Sequence, residues 1–381
     1  MDLQDYRARI DVVDEELLRL FKERMNISGE IAQYKKEQGI PVLDNTRETE
    51  KLALMREKAG GDMRSYAHML WATLFDLSRA YQGTLINNES ELGKIISAAT
   101  EGTERVFPRH ASIACQGVEG AYSQIACGRL FAEPNILYFT NFDGVFSAIR
   151  DGLCQYGILP LENSTAGSVN MVYDLMMRHS FKIVRSVRVK IDHNLLVKAG
   201  IQKSEIREIF SHEQAVQQCA EYLKGFGKNI KVTFTANTAE AAKMVAESSR
   251  NDIAALASIS CSELYGLKCL ESSVQDKANN YTRFICISKH LEIYPGADRT
   301  SVMLTTAHKP GSLYNVLGRI YTHGVNLMKL ESRPIPDRDF EFMFYFDLEA
   351  SVYSEQFSQL MRELEITCKE LHYLGTYSEI L

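Results

Sequence analysis

No apolar run in this sequence approaches the roughly 20 residues that a membrane-spanning helix needs. No membrane partner is therefore expected. The eight cysteines are scattered without a C-x-x-C pair, and the nine histidines show neither H-x-H nor H-E-x-x-H spacing. Thiols set in runs such as Ile113-Ala114-Cys115 and Phe284-Ile285-Cys286-Ile287 read as reduced core residues, so neither disulfides nor a metal is expected. A G-x-G-x-x-G dinucleotide fingerprint is missing as well, and no cofactor is expected. Positive charge is outnumbered, 43 Lys and Arg against 49 Asp and Glu, which removes the general electrostatic reason to bind nucleic acid. The opening Met1-Asp2-Leu3-Gln4-Asp5 is acidic and points to a cytoplasmic protein.

What is present is a chain too long for one ordinary core, at 381 residues, so two or three domains are expected. From Leu3 to Gln38 there is no proline and one glycine, and Ile10, Val13, Leu17, Leu20, Ile27 and Ile31 recur at a helical period. This predicts one helix on the order of 50 Å long. It stops at Gly39-Ile40-Pro41; a short helical segment follows from Asp44, and another spans residues 65–82. The first helix is longer than a compact domain of about 90 residues requires, which implies packing against a second chain and a homo-oligomer, at least a dimer. Arg24 and Lys35 lie about three turns apart on one side; Asp44, Arg47 and Glu48 share a face, as do Ser78 and Gln82. Arg7 lies about 100° off the line of Arg24 and Lys35, so it would reach a common site only in a partner's pocket. Singly, each of these charges is ordinarily a solvated surface group.

Together, Arg7-x-x-Ile10-x-x-x-Asp14-x-x-Leu17-Leu18, Glu23-Arg24, Lys35, Pro41-Val42-x-Asp44-x-x-Arg47-Glu48 and Ser78-x-x-x-Gln82 resemble the helical chorismate mutases over residues 1–90. The resemblance implies an all-α domain that rearranges chorismate, a dicarboxylate, to prephenate. The reaction is pericyclic and needs no nucleophile; the protein binds the folded conformer and stabilises charge on the breaking ether oxygen. By that resemblance Arg24 and the other protomer's Arg7 hold carboxylates, and Arg47 helps to order the site. Lys35 and Gln82 donate to the ether oxygen, Glu48 and Asp44 take the ring-hydroxyl side, and Ser78 contacts a carboxylate. Lys35, Gln82 and Glu48 are the expected catalytic residues, with Lys35 the largest contributor because a cation in a dry site supplies several kcal/mol.

Residues 91–109 are polar and weakly periodic and read as a linker. From Ala111 strands and helices alternate: strands Ser112–Cys115, Asn135–Thr140 and Tyr156–Leu159, with helices Tyr122–Phe131 and Val145–Arg150. A second set begins near Ile191, with helices Gln214–Lys224 and Thr238–Glu247 and strands Lys231–Thr235 and Ile253–Ala257. The pattern predicts a mixed, largely parallel α/β fold of two lobes with a cleft between them. The stretch Pro160-Leu161-Glu162-Asn163-Ser164-Thr165-Ala166-Gly167-Ser168 reads as a strand-to-helix loop before a helix over Val169–Met177. Such a loop is suited to an anionic ligand. The alternative is that Ser164 or Thr165 only N-caps the helix.

Further polar loops fall at Gly117–Ser123, Ser211-His212-Glu213-Gln214 with Gln218, Asn237-Thr238, and Asn280-Tyr281-Thr282-Arg283-Phe284. The N-x-T-R-F and P-x-E-N-S-x-x-G strings resemble prephenate dehydratases over residues 110–290. That implies a periplasmic-binding-protein-like pair of lobes, with prephenate losing its carboxylate and ring hydroxyl to give phenylpyruvate. In the first loop Val118 and Ala121 depart from the family pattern, and Ala121 cannot be a donor. The resemblance gives Thr282 the essential role, as a positioned donor to the leaving oxygen. Glu162 would supply the proton if burial raised its pKa. Asn163, Ser211, Gln218 and Arg283 are expected to bind carboxylate or keto groups, with Ser123, Thr165 and Asn237 as further contacts. The alternative for Arg283 is a salt bridge that pins its strand.

After Arg299 the pattern becomes β-α-β-β-α-β, a ferredoxin-like arrangement over 298–378. Gly311-Ser312-Leu313 opens its first helix and Glu331-Ser332-Arg333-Pro334 ends its second strand. Both strings resemble the phenylalanine-binding ACT modules, which implies an L-phenylalanine effector site shared between two modules of a dimer, and feedback control. The expected whole is thus a multidomain chain: helical mutase, two-lobed α/β dehydratase and α+β ferredoxin-like ACT domain. A mutase fused to a dehydrogenase would need the missing nicotinamide fingerprint. A non-catalytic sensor would account for the cleft but not for the mutase pocket or Thr282-Arg283-Phe284.

Overall fold

A computed structural model describes residues 2–86, 90–227, 229–336 and 338–381. It divides into two compact units, Met1–Ser97 with Leu304–Asn326 and Tyr353–Leu371, and Ala98–Met303 with Leu327–Val352 and His372–Leu381. Among the described residues no helix is long and apolar enough to cross a membrane.

Helix α1 (Leu3–Gln38) opens on a capping box between Asp2 and Asp5 and closes on Gly39, whose φ of 64° is the left-handed conformation that ends helices. Helix α2 (Asn45–Ala59) is capped by Asp44, which accepts the Arg47 N–H. Helix α3 (Arg64–Ile86) packs on both. The first half of α1 buries nothing; Leu3, Tyr6, Ile10, Val13, Leu17 and Leu20 stand exposed along one stripe. Where a linker was expected, α4 (Glu91–Gly102) forms instead. Leu92, Ile95, Ile96 and Ala99 recur at helical spacing, and the Ser90 hydroxyl caps the first turn through the Gly93 N–H.

The second unit begins with β1 (His110–Gln116), α5 (Tyr122–Leu130), β2 (Glu133–Phe139), α6 (Phe142–Arg150), β3 (Tyr156–Asn163), β4 (Gly167–Ser168), α7 (Asn170–Arg178) and β5 (Lys182–Lys190). Then follow β6 (Asn194–Val197), β7 (Glu208–Ser211), α8 (Glu213–Gln218), α9 (Ala220–Lys224), β8 (Lys231–Phe234), α10 (Thr238–Glu247), β9 (Ile253–Ala257), α11 (Ser260–Tyr265) and β10 (Lys268–Glu271). The chain returns through β11 (Tyr281–Ser288), which lies between β3 and β5 in the first sheet. The second sheet has the order β10-β6-β9-β7-β8. The single helix expected over 214–224 is two, because Cys219 at φ −115°, ψ 24° leaves the helical region.

The last elements are β12 (Arg299–Thr305), α12 (Ser312–Thr322), β13 (Asn326–Pro334), β14 (Phe342–Glu349), α13 (Glu355–Thr367), β15 (Glu370–Tyr377) and β16 (Glu379–Ile380). Strand order β13-β14-β12-β15 is the ferredoxin-like order, and β16 adds to the first sheet beside β5. Within the second unit Met303, Met343, Tyr345, Leu374 and Tyr377 share one core with Val172, Tyr173 and Ile285. The rings of Tyr173 and Tyr345 meet edge to face at 4.9 Å. Within the first unit α13 packs on α3 so closely that a Cβ on Gly83 would collide with Ile366.

Candidate active site

Of the polar side chains expected to be functional, the two groups expected to bind substrate each lie within one unit. In the helical unit, Arg24 donates to the Leu74 carbonyl at 2.9 Å and to the Ser78 hydroxyl, with its guanidinium over the Phe75 ring. Burial lowers its pKa, partly offset by Glu48. Lys35 donates to the Val42 carbonyl at 2.6 Å, and Asp44 caps α2 through one carboxylate oxygen, Oδ1. Glu48 pairs with Arg79, which also holds Asp76. Helical spacing placed Asp44, Arg47 and Glu48 together but gave no sign of Arg79, which comes from α3. Gln82 is 7% exposed, and its amide donates to Ser28 Oγ at 2.9 Å while its Oε1 has no partner. Because a hydroxyl both donates and accepts, the Gln82 amide can turn over, keep Ser28 and present an N–H to a ligand oxygen. Arg47 and Arg7 are exposed, Arg7 on the open half of α1.

In the second unit a cavity of about 700 Å³ is lined from both sheets. Ser123, Asn163, Gln218, Asn237 and Thr282 all reach it. Strand β3 is longer than the sequence suggested and runs through Asn163, so the supposed loop begins with four strand residues. Pleating then sends Asn163 to the cavity and Glu162 to the other side. On β11, paired antiparallel with Thr282 opposite Asn163, the same alternation brings Thr282 and Phe284 to the cavity and turns Arg283 away.

Glu162 and Arg283 therefore do not line the cavity, contrary to expectation. Arg283 is 5% exposed and pairs with Asp347 and, at 3.3 Å, with Glu162, which also holds Lys329. Ser211 is corrected too: fully buried, it donates to the Leu256 carbonyl at 2.8 Å and ties β7 to β9. Neither Ser164 nor Thr165 caps a helix, since α7 begins after Val169 without a side-chain cap. Instead Asn163 Oδ1 accepts from Thr165 N, Thr165 Oγ1 and Ala166 N at 3.0, 2.7 and 2.9 Å, which folds the turn. Thr165 is thus one bond behind the cavity, held also by Gln218 at 2.9 Å.

The other amide end of Asn163 donates to Asn280 Oδ1 at 2.8 Å and Thr282 Oγ1 at 3.0 Å. Among the described residues lining the cavity there is no lysine or arginine. Helix N-termini can supply partial positive charge beside the lining Glu213: Ala121 gives α5 no side-chain cap, and Asn237 and Thr238 open α10. Asn237 Oδ1 accepts the Glu240 N–H, so Nδ2 is the end left for a ligand. Gly120, at φ +89°, lets the loop before α5 press on Cys261, where a Cβ would come within 2.9 Å of the sulfur. Sequence reading missed His193 in the lining and named His212 only as part of its loop, without a role; burial lowers the pKa of both. Among the described residues no group of three or more His, Cys, Asp or Glu is placed to hold a metal ion.

Of the residues expected to bind an effector, Gly311 caps α12 at φ +85°, followed by Ser312 and Leu313 in the first turn. Glu331, Ser332, Arg333 and Pro334 end β13, where Glu331 accepts from Ser168 and Arg333 grips Asp174 with two bonds of 2.8 and 2.9 Å.

Residues 6–83 match the family model for chorismate mutase type II, and residues 113–292 that for prephenate dehydratase. The chain is 31% identical over 380 residues to the bifunctional chorismate mutase/prephenate dehydratase of Enterobacter agglomerans, covering 97% of this chain and 94% of that one. A solved prephenate dehydratase from Arthrobacter aurescens, in complex with L-Phe, superposes with a TM-score of 0.64 at 25% identity, over 70% of this chain and 89% of that one. A solved quorum-quenching acylase does so with the same TM-score at 31% identity, over 70% and 97% of the two chains.

Proposed function

The chain belongs to the family of bifunctional chorismate mutase/prephenate dehydratases, and from that premise we propose how its residues divide the two reactions and their control. It rearranges chorismate to prephenate, then decarboxylates and dehydrates prephenate to phenylpyruvate. We assign the first step to residues 1–90, the second to a periplasmic-binding-protein-like pair of lobes at 110–290, and control to an ACT module at 298–378.

In the mutase, Arg24, Ser78 and the other protomer's Arg7 bind the carboxylates. Lys35 and Gln82 donate to the ether oxygen as its bond to the ring lengthens, and Glu48 with Asp44 takes the ring hydroxyl. Arg47 orders the site. The exposed stripe of α1 from Leu3 to Leu20 is the surface a second copy would cover, which would carry Arg7 to its partner.

In the dehydratase, loss of carbon dioxide leaves an electron pair that enters the ring as the hydroxyl departs, and aromaticity drives the step. One proton is needed to release the hydroxyl as water. The observation that carries this reading is the bond from Asn163 Nδ2 to Thr282 Oγ1. An oxygen that already accepts from Asn163 is free to turn its own hydrogen into the cavity, toward the leaving oxygen. The N-termini of α5 and α10, with Gln218, Asn237 and Ser123, take the carboxylates and keto group. The test is a paired assay on the wild type and Thr282→Ala, following chorismate loss and phenylpyruvate formation from supplied prephenate. The variant is expected to consume chorismate and accumulate prephenate; phenylpyruvate formation at the wild-type rate would remove Thr282 from the reaction.

Gly311 to Leu313 and Glu331 to Pro334 are assigned to an L-phenylalanine site formed between modules of a dimer, giving feedback inhibition. The bonds of Glu331 and Arg333 to Ser168 and Asp174, beside the catalytic turn, support that assignment. Millimolar L-phenylalanine is expected to depress phenylpyruvate formation, and an unchanged rate would count against the site.

A further inference from the structure

We propose that His193 is a positioning residue of the dehydratase step, acting through Gln218; the proposal rests on the reading of Gln218 as a prephenate contact. His193 sits on the segment that carries the chain from β5 to β6, between the two sheets, and is 2% exposed at the cavity wall. Its Nε2 lies 2.9 Å from Gln218 Oε1.

The neighbours fix which atom donates. Gln218 Oε1 also accepts from Asn280 Nδ2 at 2.9 Å, and Gln218 Nε2 donates to Thr165 Oγ1 at 2.9 Å. Asn280 is fixed in turn, because its Oδ1 accepts from Asn163 Nδ2 at 2.8 Å. Turning the Gln218 amide over would set its N–H groups against those of Asn280. Gln218 therefore presents oxygen to His193, and His193 carries its proton on Nε2. Burial lowers the imidazole pKa, which favours the neutral ring, so Nδ1 holds a lone pair and has no partner. A histidine that serves packing alone commonly satisfies both nitrogens; this one uses its single N–H on a cavity-lining amide.

The consequence lies at the other end of Gln218. With His193 and Asn280 both bound to its oxygen, the amide cannot rotate, and its nitrogen stays between Thr165 and the cavity. One N–H serves Thr165, while the contact to Asn163 Oδ1 is 3.5 Å and weak. The second N–H is thus available to a substrate oxygen, and His193 holds it there.

A double-mutant cycle on phenylpyruvate formation from supplied prephenate tests this, with thermal melting and mutase turnover as controls of folding. His193→Leu is expected to lower kcat/KM about ten-fold or more, and His193→Gln, whose amide offers an N–H at similar reach, to stay within about three-fold. On a Gln218→Ala background His193→Leu is expected to cost less than about two-fold more, since the group it positions is gone. The pH profile of His193→Gln is expected to match the wild type, with Asp192, His212 and Tyr122, which face the imidazole, unchanged. Losses that multiply in the double variant, a His193→Gln enzyme as slow as His193→Leu or lacking a limb of the pH profile, or a His193→Leu enzyme at full rate would each overturn the proposal. If His193→Leu fails to fold, His193→Asn, whose amide stops short of Gln218, takes its place with the same expectations. Unaltered kinetics in Gln218→Ala alone would instead remove the reading of Gln218, and the proposal with it.

Discussion

Asn163 and Thr282 are 119 residues apart in sequence, yet they face each other across β3 and β11, with the asparagine amide donating to the threonine hydroxyl at 3.0 Å. This bond occupies one lone pair of the threonine oxygen and leaves its hydrogen free to point into the cavity, as a donor would need. Thr282→Ser keeps the hydroxyl and is expected to retain measurable phenylpyruvate formation, whereas Thr282→Ala is expected to lose at least about 100-fold in kcat, the scale of a positioned proton donor. Equal rates for the two variants, measured with supplied prephenate, would refute the role.

Glu162, one residue before Asn163, points the other way to Lys329 and Arg283. Glu162→Gln is accordingly expected to leave the shape of the dehydratase pH–rate profile unchanged. A lost limb in that profile would restore Glu162 as the proton source.

Lys35 Nζ meets the Val42 carbonyl at 2.6 Å, and no carboxylate is paired with it among the described residues. Lys35→Ala is expected to lower mutase kcat/KM by at least about 1,000-fold, roughly 4 kcal/mol of lost charge stabilisation, while the helical circular dichroism persists. Near-normal chorismate turnover would refute the assignment.

Glu208, with its side chain 5% exposed, accepts from Lys231 at 2.7 Å and Thr233 at 2.6 Å and also pairs with Arg250. Bonding to Lys231, then Thr233, holds its pKa at about 2, below the ordinary 4.5. A lowered carboxylate pKa stabilises the folded state above the unfolded value and loses that contribution as pH falls through the folded one. Glu208→Gln is therefore expected to cost about 1–2 kcal/mol at pH 7, discounted because Lys231 and Arg250 are largely solvated. Melting curves should show the difference shrinking between about pH 4.5 and 2. A gap independent of pH would contradict the linkage.

Much of the architecture was legible without coordinates. A proline-free run ending at a glycine needs only local backbone preferences to be a helix, so α1 and its stop could be read directly. The β-α-β-β-α-β run was readable for the same reason, since each element announces its own period. The polar residues proposed for the two sites stand in local strings, so they could be singled out from the sequence.

Orientation was not legible. Whether Glu162 or Asn163 meets the cavity depends on whether the strand ends at Leu159 or at Asn163, and β11 settles that by pairing with β3 as far as Asn163. One further pleat reverses every side chain. The salt bridge given as the alternative for Arg283 could be named without its partner, since Asp347 lies 64 residues away, and the roles of Arg79 and His193 were hidden outright, with Glu48 and Gln218 31 and 25 residues away. The sequence by itself determined which elements form and which chemical groups are available. Only the tertiary structure decided which groups face a ligand and which are held by one another, because strand register and long-range pairing are properties of packing rather than of local propensity.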